Sequence, residues 1–174
     1  MSLNRIFVIL VSLFFFSSNL YAENKVAYIN IDLILSKSNP SKSLFSQLEL
    51  IEQKQIEKIK NNEIKLKEEE KKIFATKNII SKDEFNKNVD TFKKKVETHR
   101  KSKEINIQNF NKKRNKEILR FFKLINPIIE KVMEKNSIAI LLEKKNIFIA
   151  KSNYDITAIV IEEINKDIKD FLIE

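Results

Sequence analysis

Few residues in this chain have the type and spacing to carry covalent chemistry. His99 is the single histidine and there is no cysteine, so no His/Cys zinc cluster can form, and a Ser/His/Asp set has only that one base to use. The 174 residues contain no glycine. This excludes the dinucleotide fingerprint and the phosphate-cradling loop, both of which need glycine so that backbone amides can approach phosphate closely. Carboxylates remain at Glu162 with Glu163 and along Glu68 to Glu70, but neighbours on a helix point in different directions, so they read as solvated faces. His99 lies on a helical seam among apolar positions, where packing or solvation outweighs a ligand or pH-sensing role. No catalytic, cofactor-binding or metal-binding residue is assigned, and the chain reads as a non-enzyme.

The elements that remain are structural. Met1 to Arg5 carries one positive charge, and Ile6 to Phe16 follows as an apolar run broken only by Ser12. As a helix that run is roughly 17 Å long, against roughly 30 Å for a bilayer core. With Ala22 as a small residue after Leu20 and Tyr21, residues 1–22 read as a cleaved signal peptide of an exported protein. An exported chain without cysteine must cohere by packing or oligomerisation. Charged residues make up 33% of the sequence, too many to surround one compact core, so part of the molecule is expected to be elongated.

Lys25 to Ile31 is short, β-branched and roughly alternating, and predicts a strand. Ser38, Asn39, Pro40 and Ser41 punctuate the chain and start a helix with proline in its first turn. From Leu44, Leu48 and Ile51 the apolar stripe continues as Ile59, Leu66, Ile73 and Ile80 at seven-residue intervals, with Gln55, Asn62, Glu69 and Thr76 at the alternate seam positions. Ser81 to Glu84 matches a capping box, so a second helix begins near Lys82. Its stripe runs through Phe85, Val89, Phe92, Val96, His99, Lys103, Asn106 and Phe110, then shifts to Ile118, Phe121, Ile125 and Ile128. Antiparallel folding about a turn near 79–83 sets Ile73 against Phe92, Leu66 against His99 and Leu44 against Phe121. The middle, near Ile59 and Asn106, is half polar and is the expected weak point. Arms of about 35 residues extend roughly 50 Å.

Residues 93 to 123 hold twelve Lys or Arg and three Glu, whereas residues 49 to 72 balance seven Lys against seven Glu. The basic residues Lys94, Lys95, Arg100, Lys101, Lys112, Lys113 and Arg114 predict a face that attracts anionic surfaces, such as lipid head groups, lipopolysaccharide or acidic protein segments. A nucleic-acid role is not expected, since aromatic residues for base stacking are sparse within 93 to 120.

Asn126-Pro127 either kinks the second helix or restarts it. Ser137 to Leu142 and Asn146 to Ala150 are two β-prone runs separated by a polar turn, which predicts a hairpin, and Asp155 caps a last helix with the stripe Ile156, Ile159, Val160, Ile164, Ile168 and Phe171 or Leu172. Strands left with open edges call for pairing across subunits, through Val26, Tyr28, Ile138, Ile140, Ile147 and Ile149. The expected fold is α+β and predominantly α: a small β body from one early strand and a late β-hairpin, a long antiparallel helical hairpin arm, and a C-terminal helix. Residues 23–40 and 136–174 form the oligomerisation body, and residues 41–135 the arm.

The order of these elements resembles the Skp/OmpH family of periplasmic chaperones for outer-membrane proteins. Val26 to Asp32 followed by Ser38 to Lys42 is similar to the family's first strand and helix start, with Ser41 where glycine is usual. Ile125 to Ile128, the paired late strands and Asp155 to Thr157 are similar to its closing segment, with Asn136-Ser137 where the family carries glycine. The resemblance implies a periplasmic homotrimer whose arms enclose an unfolded outer-membrane protein without ATP. On that basis Ile56, Ile64, Phe74, Ile79 and Ile107, apolar residues off the seam, are candidates for client contact. The alternative is a structural or tethering coiled-coil protein of the cell envelope.

Overall fold

The computed structural model describes residues Lys25–Glu174, so the expected signal peptide lies outside the described residues. In chain order these residues form β1 (Lys25–Ile29), α1 (Ile31–Lys37), α2 (Asn39–Ala75), α3 (Lys82–Lys135), β2 (Ile138–Glu143) and α4 (Thr157–Asp167), with 3-10 turns at Lys144–Asn146 and Ser152–Tyr154.

Capping residues explain where the short elements begin and end. The Asn30 side chain accepts from the Leu33 amide at 3.1 Å and opens α1, while the Asn30 amide donates to the Thr157 hydroxyl at 2.9 Å. Asp155 in turn accepts the Thr157 amide at 2.9 Å, so one polar chain ties the end of β1 to the start of α4. Pro40 sits in the first turn of α2, where its missing amide costs nothing. Ser41 is fully buried beside it, and its hydroxyl donates to the Leu35 carbonyl at 2.5 Å, which satisfies a side chain glycine would lack.

α2 ends at Ala75, one turn short of the expected Ile80, and residues 76–80 make the turn. Ser81 then caps α3 by accepting from the Glu84 amide at 3.2 Å. At 54 residues, α3 is about 80 Å long. It runs through Pro127 without a restart.

β1 and β2 pair in parallel, from Lys25 with Ile138 to Ile29 with Glu143, with one irregularity between Lys25 and Val26. On its other side β1 is bridged only at Tyr28–Asp155. The expected late hairpin is corrected here, because Asn146 to Ala150 forms no ladder. With Lys144 and Lys145 standing where a two-residue turn favours asparagine and glycine, the chain leaves β2 through a 3-10 turn. It then crosses the sheet, where Ile147 and Ile149 join Tyr28 and Leu142 around a cavity of about 490 Å³. α4 also stops at Asp167 instead of continuing to Phe171. The Phe171 amide is taken by the Asp170 carboxylate at 2.9 Å, a local bond that competes with helix continuation.

The core lies where α4 and the C-terminal segment pack on the bases of α2 and α3. It includes Ile34, Leu44, Leu48, Phe121, Ile125, Val132, Val160, Ile164 and Phe171. Ser137, at the α3–β2 junction, has φ 54°, the left-handed region that favours glycine. Ser137→Gly is therefore expected to stabilise the protein by about 0.5–1 kcal/mol, measured as a higher urea midpoint at fixed chain concentration.

Candidate functional site

The arm formed by α2 and α3 has only one contact surface per helix, so its seam side chains each keep a side toward water. Ile59, Leu66 and Ile73 on α2, with Phe85, Val89, Phe92 and His99 on α3, are half-buried, and no residue from Glu49 to Asn109 is fully buried. Near the tip Phe74 and Phe85 meet edge to face with ring centres 6.1 Å apart. Val96, expected on the seam, is instead exposed.

Polar contacts fill the middle of the arm. Lys103 Nζ lies 2.9 Å from Glu63 Oε1 and Lys95 Nζ 2.5 Å from Glu69 Oε1. His99 Nε2 is 3.7 Å from the same Glu63 oxygen, too long for a hydrogen bond, and that buried nitrogen has no partner. Leu66 and His99 come together as expected and line two open grooves of about 600 and 520 Å³, one on each side of the arm. Apolar contact is interrupted at this level, so it is the easiest place for the hairpin to open.

The Glu63 carboxyl is held below the ordinary carboxylate range, first by its hydrogen bond from Lys103 and by that residue's charge, and less by His99. Because the folded value is depressed, the pair's contribution is present above the usual glutamate pKa of about 4.3 and lost as pH falls through the lower folded value. Amide exchange around 60–66 and 99–106, corrected for intrinsic rates, should therefore rise as pH falls below about 4.3. Glu63→Gln should remove that dependence.

All five apolar candidates off the seam are open to solvent, from 47% exposure at Ile64 to 80% at Ile79, with Ile56, Phe74 and Ile107 between. Leu50, Ile105, Leu119 and Leu124 are exposed as well. Sequence reasoning passed over those four, although their offset from the stripe was visible. The seven basic residues do not share one face. At about 100° per residue, Lys94, Lys101 and Lys112 align on the side of α3 away from α2, Lys95 and Lys113 flank the seam on one side, and Arg100 and Arg114 flank it on the other, with Arg100 beside Glu63 and Arg114 beside Leu48 and Glu52, giving a basic collar around α3. Lys95 pairs with Glu69 and Lys101 with Glu97 at 2.8 Å; among the described residues the other five form no ion pair.

Of the candidates for subunit pairing, Val26, Ile140 and Ile149 are exposed, Ile138 and Ile147 are half-buried, and Tyr28 is only 7% exposed. Tyr28 is thus covered within its own chain, where its carbonyl accepts the Ile156 amide at 3.0 Å. The neighbouring Phe148, not singled out from sequence, is fully exposed. Among the described residues, no group of His, Cys, Asp or Glu is arranged to hold a metal ion, and no helix is long and apolar enough to cross a membrane.

A thinly packed helical hairpin standing on a small α/β body, with its termini in that body, defines a class of arm-bearing proteins. The chain matches the family described as "Outer membrane protein (OmpH-like)" over residues 25–164 and belongs to it. A crystal structure of an OmpH-like candidate outer membrane chaperone from Caulobacter crescentus CB15 shares the fold, with a TM-score of 0.80, 20% identity, and coverage of 84% of this chain and 87% of that one. No curated protein matches the chain.

Proposed function

We propose that this protein is a non-catalytic, ATP-independent holding chaperone that keeps unfolded outer-membrane proteins from aggregating before insertion, and that it works in the periplasm as a homo-oligomer. The observation that carries this reading is the arm itself. It exposes large apolar side chains along its length and buries none fully between Glu49 and Asn109. An unfolded barrel protein presents strands with alternating apolar residues that pair readily with one another. Scattered apolar contacts on the arms meet those residues weakly and exchangeably, and the basic collar attracts acidic segments and anionic lipid or lipopolysaccharide. Membership of the OmpH-like family and the shared fold with a candidate outer membrane chaperone support the same reading.

The body supports assembly. A two-stranded parallel sheet with an open edge is marginal alone, and Ile140 on β2 and Phe148 and Ile149 in the segment after it are exposed. A trimer, as the family resemblance implies, would cover that edge with neighbouring chains.

The arm contacts are tested by replacing Phe74, Ile79 and Ile107 together with serine. The variant should keep its helix content and mass, while the concentration needed for half-suppression of client aggregation rises about tenfold. Unchanged suppression would remove these residues from the client surface.

A further inference from the structure

The C-terminal segment occupies a cleft at the base of the arm that is built like a receptor for extended chain. Phe171 is buried, with its ring 5.9 Å from the Phe121 ring and beneath the Arg120 guanidinium, 4.4 Å from the ring centre. The main chain on either side is held by side chains alone. Gln47 Nε2 donates to the Phe171 carbonyl at 2.6 Å, and Gln47 Oε1 accepts the Ile173 amide at 3.2 Å. Ser43 Oγ donates to the same Phe171 carbonyl at 3.1 Å, and Arg120 donates to the Leu172 carbonyl and to Glu174.

Bonding the carbonyl of one residue and the amide two residues later is what the N–H and C=O of a single residue in a parallel neighbouring strand do. The Gln47 amide therefore stands in for a strand edge. Alternation completes the likeness: Phe171 points in, Leu172 out, and Ile173 partly in. Nothing in this set of bonds reads the tail's side chains except the aromatic seat, the partly buried position two residues on, and the Arg120 bond to Glu174.

We propose that this cleft is a binding site for one extended segment with an aromatic residue two positions before an aliphatic one, and that the chain's own C-terminus occupies it as an internal competitor. Resting on the client class proposed above, the outside ligand is a strand of an unfolded barrel protein, whose dyad alternation and interfacial aromatic residues supply that pattern. The tail is tethered at an effective concentration on the millimolar scale, so an outside segment binds only to the fraction of molecules whose tail is released. Strands arriving on the arm would thus be captured at its base by displacing Phe171.

A fluorescent peptide copying residues 167–174 is titrated against the chain from Glu23 onward, as wild type and as Phe171→Ala. Anisotropy should show binding at least about tenfold tighter to Phe171→Ala, and adding Gln47→Ala should abolish that gain. Urea-unfolded barrel protein should then displace the peptide. Ile173→Ser, a milder change to the tail, should show the same release. Equal peptide binding to wild type and Phe171→Ala, or binding indifferent to Gln47→Ala, would overturn the site. So would loss of helix content in both tail variants, since the tail would then be core and not a replaceable occupant. Failure of barrel protein to displace the peptide, while the wild type still suppresses its aggregation, would overturn the assigned ligand and leave the holding function intact.

Discussion

Phe121→Ala should lower the unfolding free energy by about 3–5 kcal/mol, the largest loss expected from truncating any apolar side chain in the body. Phe121 has no solvent exposure and sits at the meeting point of α3, its neighbour Phe122 and the tail, with ring centres 6.0 Å from Phe122 and 5.9 Å from Phe171. Leu44, which the antiparallel register sets opposite it, is also fully buried. Truncation opens a cavity bounded by helices that cannot close together without shifting the arm base. Urea unfolding at fixed chain concentration, needed because assembly adds to apparent stability, should show a lower midpoint. A loss below about 1 kcal/mol would mean that the core is not packed around this ring. The same change placed in the arm, Phe92→Ala, should cost much less, because Phe92 keeps water on one side.

Arg120→Ala should be comparably damaging for a different reason. Glu117 is fully buried and only one of its oxygens is bonded, to Arg120 at 2.9 Å; the other, Oε1, has no partner. Removing the guanidinium strands a carboxylate that has no solvent exposure in the folded chain, and also releases Phe171, Leu172 and Glu174. Breaking a buried pair from one side costs about 3–5 kcal/mol. The double variant Arg120→Ala with Glu117→Gln should recover part of that loss, since a neutral amide is cheaper to bury than an unpaired charge. If the double variant is as unstable as the single one, the damage comes from the lost tail contacts and not from the stranded carboxylate.

The sequence made the arm legible because a coiled-coil stripe is a local, repeating signal. Ile59, Leu66 and Ile73, the cap at Ser81, and the meeting of Leu66 with His99 all follow from spacing. The elements that differ depend on contacts distant in sequence. Asn146 to Ala150 has the composition of a strand, but composition does not specify an edge to pair with. Tyr28 shares a face with Val26 by alternation, yet it is buried within its own chain while Val26 is exposed. The last helix has a regular stripe to Phe171, but Gln47 and Ser43, more than 120 residues away, bind the tail's main chain in an extended form. Glu117 and Arg120 are three apart on α3 within a basic run, and nothing in their spacing marks the carboxylate as internal; the folded chain shows it buried. For the arm's surface, spacing gave the apolar residues off the seam, while the spread of positive charge around α3 was available from the same helical arithmetic.

Light scattering of a urea-diluted, aggregating outer-membrane barrel protein, with and without the chain from Glu23 onward and with its mass determined in the same buffer, tests the central claim most directly. Suppression by an oligomer of about three chains, as the family resemblance implies, is the predicted result. No suppression at several-fold excess, from an oligomer that is folded by far-UV circular dichroism, would contradict it and favour a structural role in the envelope.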